Sequence, residues 1–229
     1  MERHFHERLD KLNKKVLEMA SMAEEAIFKA TESLKNNDTA LADWVIENDK
    51  KIDEMENTIE AMVIDLLALQ QPMAKDLRFI TTGMKVNAEL ERIADLATNI
   101  AKCVLFVAHQ PKLKPPEDIP RLFILAKDMV KKAVNAFVER NRELAKEVIQ
   151  SDEEADMLRT KIQEELVKNY MSEDKTLIPR AISMFLAARH YERICDHATN
   201  IAEDVIFMID ARVVKHHPEI LESGENDGK

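Results

Sequence analysis

Apolar residues recur at every third or fourth position along most of the chain, and this period predicts amphipathic α-helices. Charged and polar residues fill the positions between them, as expected for helices that bury one face and expose the other. Turn signals are few, because Gly occurs only three times and two of the three lie in the C-terminal tail. An all-α protein of six long helices is predicted, running from about His6 to Leu34, Thr39 to Gln70, the turn at Pro72 to Ala108, the residues after Pro120 to Glu139, Asn141 to Met171 and Thr176 to Val214.

A proline-rich segment divides the chain. Four of the seven prolines lie between Gln110 and Pro120, where they disfavour helix continuation. We therefore predict a first three-helix repeat over residues 1–110, a linker over 111–120 and a second three-helix repeat over 121–214. Residues 215–229 form an acidic tail that we expect to be disordered.

The two predicted halves share a polar motif. Residues 91–101 read Glu-Arg-Ile-Ala-Asp-Leu-Ala-Thr-Asn-Ile-Ala, and nine of these eleven residues recur in the same order at 192–202. A second match pairs the segment around Asp49 and Asp53 with the segment around Asp152 and Asp156. Because the recurring residues include charged ones, each half is expected to be a three-helix unit that presents the same polar surface.

Each half also carries two pairs of carboxylates four residues apart, a spacing that places both members on one face of a helix. In an antiparallel helix pair, residues equally far from the turn stand level. Asp49 and Asp95 are equally far from Pro72, and the other pairs follow the same rule. The predicted groups of four are Asp49, Asp53, Glu91 and Asp95 in the first half, and Asp152, Asp156, Glu192 and Asp196 in the second.

On a helical wheel these acids fall opposite the apolar residues of the third and sixth helices, so we expect them on the outer surface. Clustered carboxylates beside an Asn amide favour cations bound through oxygen, such as Fe, Mn, Mg, Ca or Zn. The candidate ligands are the eight carboxylates, and the residues expected beside them are Asn99, Asn200, Arg92 and Arg193. A simpler interpretation is a solvated face whose acids pair with Arg92, Arg193 and nearby Lys. His197 stands where the first half has Leu96 and could add a nitrogen ligand, although a packed or surface His is commoner.

Composition excludes several functions. A formal charge of −10 argues against a nucleic-acid partner, since phosphate binding needs a basic stripe. The apolar runs are far too short to cross a membrane and the N-terminus has no apolar signal region, so a cytoplasmic protein without direct membrane insertion is expected. No nucleophilic constellation or Gly-rich phosphate loop can be assigned, and we expect no enzyme. A ferritin-like di-metal oxidase would need Glu-x-x-His pairs, and no His here has a Glu three residues before it.

The doubled motif Glu91-Arg-Ile-Ala-Asp95…Asn99 and Glu192-Arg-Ile-Cys-Asp196…Asn200, each preceded by an Asp-x-x-x-Asp helix, closely resembles the PhoU family over nearly the whole chain. The resemblance implies two tandem three-helix bundles with pseudo-twofold symmetry and surface metal sites on the acidic motifs, with iron as the first candidate and Mn, Mg or Zn as others. It also implies a non-enzymatic, cytoplasmic negative regulator of the phosphate-starvation response that links the ATPase subunit of the phosphate ABC transporter to the phosphate-sensing histidine kinase. A homodimer is expected, and a metal-free adaptor with the same partners remains the alternative.

Two positions break the repeat. The first half continues its acidic stripe with Glu56 and Glu60, whereas the second half has Arg159 and Gln163 there, so the two sites should differ in metal number or affinity. Gly83 stands in the middle of the third helix where the second half has Met184, and close packing is expected at this Gly because it costs about 1 kcal/mol relative to Ala.

Overall fold

The computed structural model describes residues 2–110, 113–172 and 174–213, and within these ranges the chain forms six long α-helices. The helices are α1 (Glu2–Asn36), α2 (Thr39–Gln70), α3 (Ala74–Phe106), α4 (Asp118–Glu139), α5 (Arg142–Glu165) and α6 (Ile178–Asp210). α1, α2 and α3 pack on one another as a first three-helix bundle, and α4, α5 and α6 form a second. The predicted all-α fold with two tandem three-helix bundles is thus confirmed.

The helices begin where side chains can replace missing backbone hydrogen-bond partners. The Asp38 side chain accepts a hydrogen bond from the Leu41 amide at 3.0 Å, and Asn141 accepts one from the Leu144 amide at 3.1 Å. Both caps start the second helix of their bundle, which shows that the repeat extends to the local turn chemistry.

Several predicted helix ends move by a few residues. α4 begins at Asp118, inside the segment predicted as the linker, because a helix tolerates Pro120 in its first turn where no amide donor is needed. α5 continues as a π-helical turn over Leu166–Met171, and a 3₁₀ turn over Lys175–Leu177 precedes α6. The predicted tail over 215–229 lies outside the described residues, together with Val214 and linker residues 111 and 112.

Each bundle is held by an apolar core of buried helix residues. In α1 the apolar residues predicted to face inward are buried at helical spacing, among them Leu12, Val16, Met19 and Ile27. A Cβ built on Gly83 would lie 3.4 Å from the Phe137 ring and 3.5 Å from Leu12, which is ordinary van der Waals contact, so a methyl group would fit there and a larger side chain would not. No helix within the described residues combines the length and the apolar composition needed to cross a membrane.

The bundles join mainly through α3 and α6, which run antiparallel. Near the start of α3, the Arg78 Nε donates to the Met208 carbonyl near the end of α6 at 3.1 Å. Near the end of α3, the Cys103 carbonyl accepts a hydrogen bond from the Ser183 hydroxyl near the start of α6 at 2.8 Å. Lys85 of α3 also pairs with Asp204 of α6 at 2.7 Å. Because α1 and α4 touch each other on one side of this seam, the exposed stripes of α3 and α6 face the opposite side together.

Candidate metal-binding patches

The α2–α3 hairpin brings Asp49, Asp53, Glu91 and Asp95 together, and we call these four residues the first patch. Burial raises the pKa of the Asp49 carboxyl, and the charges of Asp53 and Asp95 raise it further. Burial likewise raises the pKa of Glu91, with Asp95 as the next cause. Asp53 is exposed and the other three are partly buried, so the patch lies at the surface, in the arrangement that the hairpin register and the helical wheel predict.

Glu56 extends the first patch by one turn of α2. Burial raises the pKa of its carboxyl, and the charges of Glu60 and Asp53 add to the shift. The positive charge of Arg92 lowers the pKa of Glu56, and its guanidinium lies 3.5 Å from both Glu91 and Asp95 while its side chain remains 63 % exposed. Contacts of that length to an exposed guanidinium compensate little of the repulsion among six carboxylates.

The second patch consists of Asp152, Asp156, Glu192 and Asp196 on the α5–α6 hairpin. Burial raises the pKa of Asp196, followed by the charges of Asp152 and Asp156. Burial also raises the pKa of Glu192, followed by the charge of Asp196. The four carboxylates of this patch are therefore close enough to repel one another, as in the first half.

A recurring threonine supports the second patch from the side of α6. The Thr199 hydroxyl donates to the Asp152 carboxylate at 3.1 Å, which lowers the carboxyl pKa against the larger raising effect of burial. Thr98 occupies the same place in the motif of the first half and is buried. The repetition of this Thr within the motif was a signal in the sequence for such a supporting contact.

Arg159 makes the two patches different. Its guanidinium lies 3.1 Å from Asp156 and 3.4 Å from Glu192, so it contacts one carboxylate on each helix of the second hairpin. The equivalent position in the first half is Glu56. The sequence indicates that the two sites differ, and the structure shows that the difference is an ion pair within the second patch.

The residues expected beside the candidate ligands do not all lie beside them. Asn99 lies partly buried on the exposed stripe of α3, and Arg193 is exposed on α6. Asn200 instead donates its amide to the Glu89 carboxylate of the other bundle at 3.3 Å, and the His197 Nδ1 lies 2.5 Å from the same oxygen. Helical periodicity gave no signal for this contact, because it depends on how the two bundles pack.

The antiparallel seam places the two patches level with each other on one face of the molecule. In the register set by the contacts between Arg78 and Met208 and between Cys103 and Ser183, Glu91 of α3 stands opposite Cys195 of α6, the residue next to Asp196. The first patch lies on the α2 side of this seam and the second on the α5 side. With helices packed 8–10 Å apart, the patch centres are roughly 20 Å apart.

The donor chemistry of both patches fits a cation, since carboxylate oxygens are what hard and borderline divalent metals prefer. In the described part of the chain, no group of three or more His, Cys, Asp or Glu side chains converges closely enough to hold a metal ion as it stands. A bound cation would therefore have to draw the carboxylates inward by rotation about their side-chain bonds. Such a rotation would bring like charges closer together, and the bound cation would offset their repulsion.

Comparison with known proteins extends these observations. The chain matches the model of the PhoU domain twice, over residues 16–104 and 119–205. It is 41 % identical over 217 residues to the phosphate-specific transport system accessory protein PhoU homolog of Aquifex aeolicus, a match that covers 95 % of this chain and 97 % of that protein. The protein of the same name from Clostridium acetobutylicum is 36 % identical over 211 residues, covering 92 % of this chain and 96 % of the relative.

Two solved structures share the fold. The crystal structure of PhoU from Pseudomonas aeruginosa gives a TM-score of 0.85 at 32 % identity and covers 91 % of this chain and all 100 % of that one. The phosphate transport system regulatory protein PhoU from Streptococcus pneumoniae gives a TM-score of 0.85 at 26 % identity, with 92 % of this chain and 99 % of that chain covered. The similarity thus spans both bundles.

Proposed function

Because this chain belongs to the PhoU family, we propose that it regulates phosphate-specific transport, as a negative regulator of the phosphate-starvation response. The observation that carries the proposal is the double match to the PhoU domain, which coincides with the two bundles and their two carboxylate patches. Relatives that align over almost their whole length are named accessory proteins of the phosphate-specific transport system. A shared role in that system follows from similarity over the whole chain.

The proposed mechanism is that of an adaptor. The chain would link the ATPase subunit of a phosphate ABC transporter to a phosphate-sensing histidine kinase, in the cytoplasm and as a homodimer, without chemistry of its own. Long helices with polar, solvent-facing stripes offer extended surfaces for such partners. Multi-angle light scattering of the purified chain tests the dimer, and a monomer at micromolar concentration would remove that part of the proposal.

We propose that the two patches bind metal ions, with iron first and Mn, Mg or Zn as alternatives. In support, burial and mutual repulsion raise the pKa values of Asp49, Glu91 and Asp196, and a divalent cation would stabilise the ionised forms. Bound metal supplies positive charge that would hold the two helices of each hairpin together. The carboxylates contribute the oxygen ligands, and Arg92 and Arg193 stand at the edges of the patches.

A gene deletion tests the regulatory role. Without this protein, phosphate-uptake genes should be derepressed in phosphate-rich medium, and a plasmid copy of the wild-type gene should restore repression. The variant Asp95→Ala with Asp196→Ala, expressed from the same plasmid, then tells whether the patches matter for regulation. Unchanged expression after the deletion would contradict the regulatory role.

Metal analysis of the untagged protein, purified without chelators, tests the patches themselves. We expect transition metal in the wild type and a lower content in the Asp95→Ala, Asp196→Ala variant, with the helix content by circular dichroism unchanged. A wild type that carries no metal and takes up no added Fe or Mn would contradict the ligand role.

A metal-free adaptor with the same partners is the second candidate. The observation in its favour is that, among the described residues, the carboxylates do not converge on a common point and several pair with Arg92 or Arg159. In that case the patches would serve solubility or dock a basic partner surface. A ferritin-like oxidase has less support, because its ligands project into the bundle core while Asp53, Asp156 and Asp196 are exposed.

A further inference from the structure

The two patches differ at one position in a way that affects the binding of any cation. Arg159 follows Asp156 by three residues, as Glu56 follows Asp53 in the first half. The first patch therefore has a carboxylate where the second patch has a guanidinium. Both side chains lie on the second helix of their bundle and both are partly buried, so the substitution changes the charge without moving the position.

The contacts of Arg159 place its charge inside the second patch rather than at its edge. The guanidinium touches Asp156 of its own helix at 3.1 Å and Glu192 of the neighbouring helix at 3.4 Å, with 30 % of the Arg side chain exposed. It therefore bridges the two helices whose carboxylates a metal would also bridge. A metal ion that binds between Asp156 and Glu192 has to displace these contacts or accept a positive charge beside it.

Glu56 has the opposite effect in the first patch. Its carboxylate lies one turn of α2 after Asp53, where it adds a negative charge to the patch. An additional carboxylate makes the first patch more attractive to a cation, because the cation offsets the repulsion among like charges. The two halves thus share their candidate ligands and differ in the charge that surrounds them.

We propose that Arg159 is a built-in counter-cation of the second patch, so that the two patches fill in sequence: the first at low metal concentration and the second only where metal is abundant enough to displace the guanidinium. This inference rests on the proposed metal binding. The protein would then pass through a half-loaded state, in which one bundle is held by metal and the other by Arg159. Regulation that depends on the second patch would therefore require a higher metal concentration than regulation that depends on the first patch.

The expected separation follows from Coulomb's law. A unit charge about 5 Å from a divalent ion changes its affinity by roughly tenfold even when the surroundings are as polarisable as water, and by more where the site is drier. The exchange of a Glu for an Arg changes the local charge by two units. The dissociation constants of the two patches should therefore differ by about tenfold or more.

Calorimetric titration of metal-stripped protein with MnCl₂ tests the proposal. The wild type should show two classes of binding site. Arg159→Glu, which copies the first half, should bring the weaker class towards the stronger by about tenfold or more, and Arg159→Gln should shift it part of the way. Glu56→Arg, which copies the second half, should weaken the stronger class.

A charge reversal outside the patches provides the control. Lys168→Glu changes the net charge by the same two units, and Lys168 is an exposed residue that pairs with Glu164 in the π-helical turn. Circular dichroism of each metal-free variant establishes that the helices are intact. Arg159→Glu must therefore shift the weaker class well beyond any shift in Lys168→Glu.

The outcomes separate this inference from the proposal on which it rests. If the wild type and every variant fail to bind Mn²⁺, metal binding by the patches is wrong. If the wild type binds Mn²⁺ and Arg159→Glu leaves the weaker class unchanged, or shifts it no more than Lys168→Glu does, Arg159 is not the counter-cation. Should Arg159→Glu not fold, Arg159→Gln carries the same decision, because it removes the charge and keeps a hydrogen-bonding side chain of similar reach.

Discussion

Replacing Arg180 by Met should show how much one buried guanidinium contributes to the stability of the contact between the two bundles. Arg180 is only 5 % exposed and lies near the start of α6. It donates to the Asn37 side-chain oxygen at 2.9 Å, to the Val107 carbonyl at 2.7 Å and to the Gln110 carbonyl at 2.9 Å. These acceptors follow the ends of α1 and α3, so the single side chain ties the second bundle to two chain ends of the first.

The magnitude follows from what the substitution leaves behind. Each hydrogen bond from a charged donor contributes about 1.5–3 kcal/mol, but burial of the guanidinium costs part of the total and lowers its pKa. Met removes that cost together with the bonds and leaves the buried carbonyl of Val107 without this donor. We expect a net loss of roughly 2–4 kcal/mol in the free energy of unfolding, or roughly 4–16 °C in Tm for a chain of this size.

Urea unfolding followed by circular dichroism at 222 nm measures the loss, with Arg78→Met as the matched control. Arg78 also spans the two bundles, but it is partly exposed and donates a hydrogen bond to the Met208 carbonyl at 3.1 Å, so its loss should cost only about 0.5–1.5 kcal/mol. If Arg180→Met proves no more costly than Arg78→Met, the bonds of Arg180 do not hold the bundles together and the reasoning fails.

Three further predictions use the same unfolding assay. Asp118→Asn should lower the free energy of unfolding by about 1 kcal/mol at pH 7, a small value because Lys161, the partner of Asp118, is 66 % exposed to solvent. The hydrogen bond from Lys161 lowers the carboxyl pKa of Asp118 from its ordinary 3.8, so this stability is present above that value and is lost as the pH falls through the lowered pKa. A difference between variant and wild type that persists in acid would contradict the prediction. Gly83→Ala should stabilise α3 by about 0.5–1 kcal/mol, whereas Gly83→Met should cost about 1–3 kcal/mol by forcing Phe137 aside; equal effects would rule out close packing. Asp95→Asn should raise the stability of the metal-free protein by about 0.2–0.5 kcal/mol, because it removes a like-charge pair four residues apart, and a loss above about 1 kcal/mol would contradict the repulsion.

The sequence was sufficient to predict the six helices and the meeting of the carboxylates across each hairpin. Helical periodicity predicted which residues of α1 are buried. The equal distances of Asp49 and Asp95 from the turn predicted that they lie side by side, because a short turn leaves an antiparallel helix pair little freedom of register. In each case the distance between the residues is set by the rise and turn per residue of the α-helix, which are the same for every sequence.

The contacts between the bundles could not be predicted in this way. His197 meets Glu89 across 108 positions of sequence, and their pairing depends on the register of α3 against α6, which no turn fixes. The placement of Arg159 over Glu192 was likewise hidden, since a long flexible side chain can turn to solvent or to either neighbour. The π-helical end of α5 is a third example, because its apolar period does not differ visibly from that of an α-helix.

The antiparallel seam between α3 and α6 has a consequence for how such a molecule can change. Two separate copies of a three-helix unit, joined through an isologous interface, would carry every substitution twice, so that an Arg in one patch would appear in both. Here the two units belong to one chain, and the positions of Arg159 and Glu56 are free to differ, as are those of His197 and Leu96. Covalent fusion thus keeps two similar three-helix units side by side while allowing each its own charge, and one face of the molecule carries two patches of different charge.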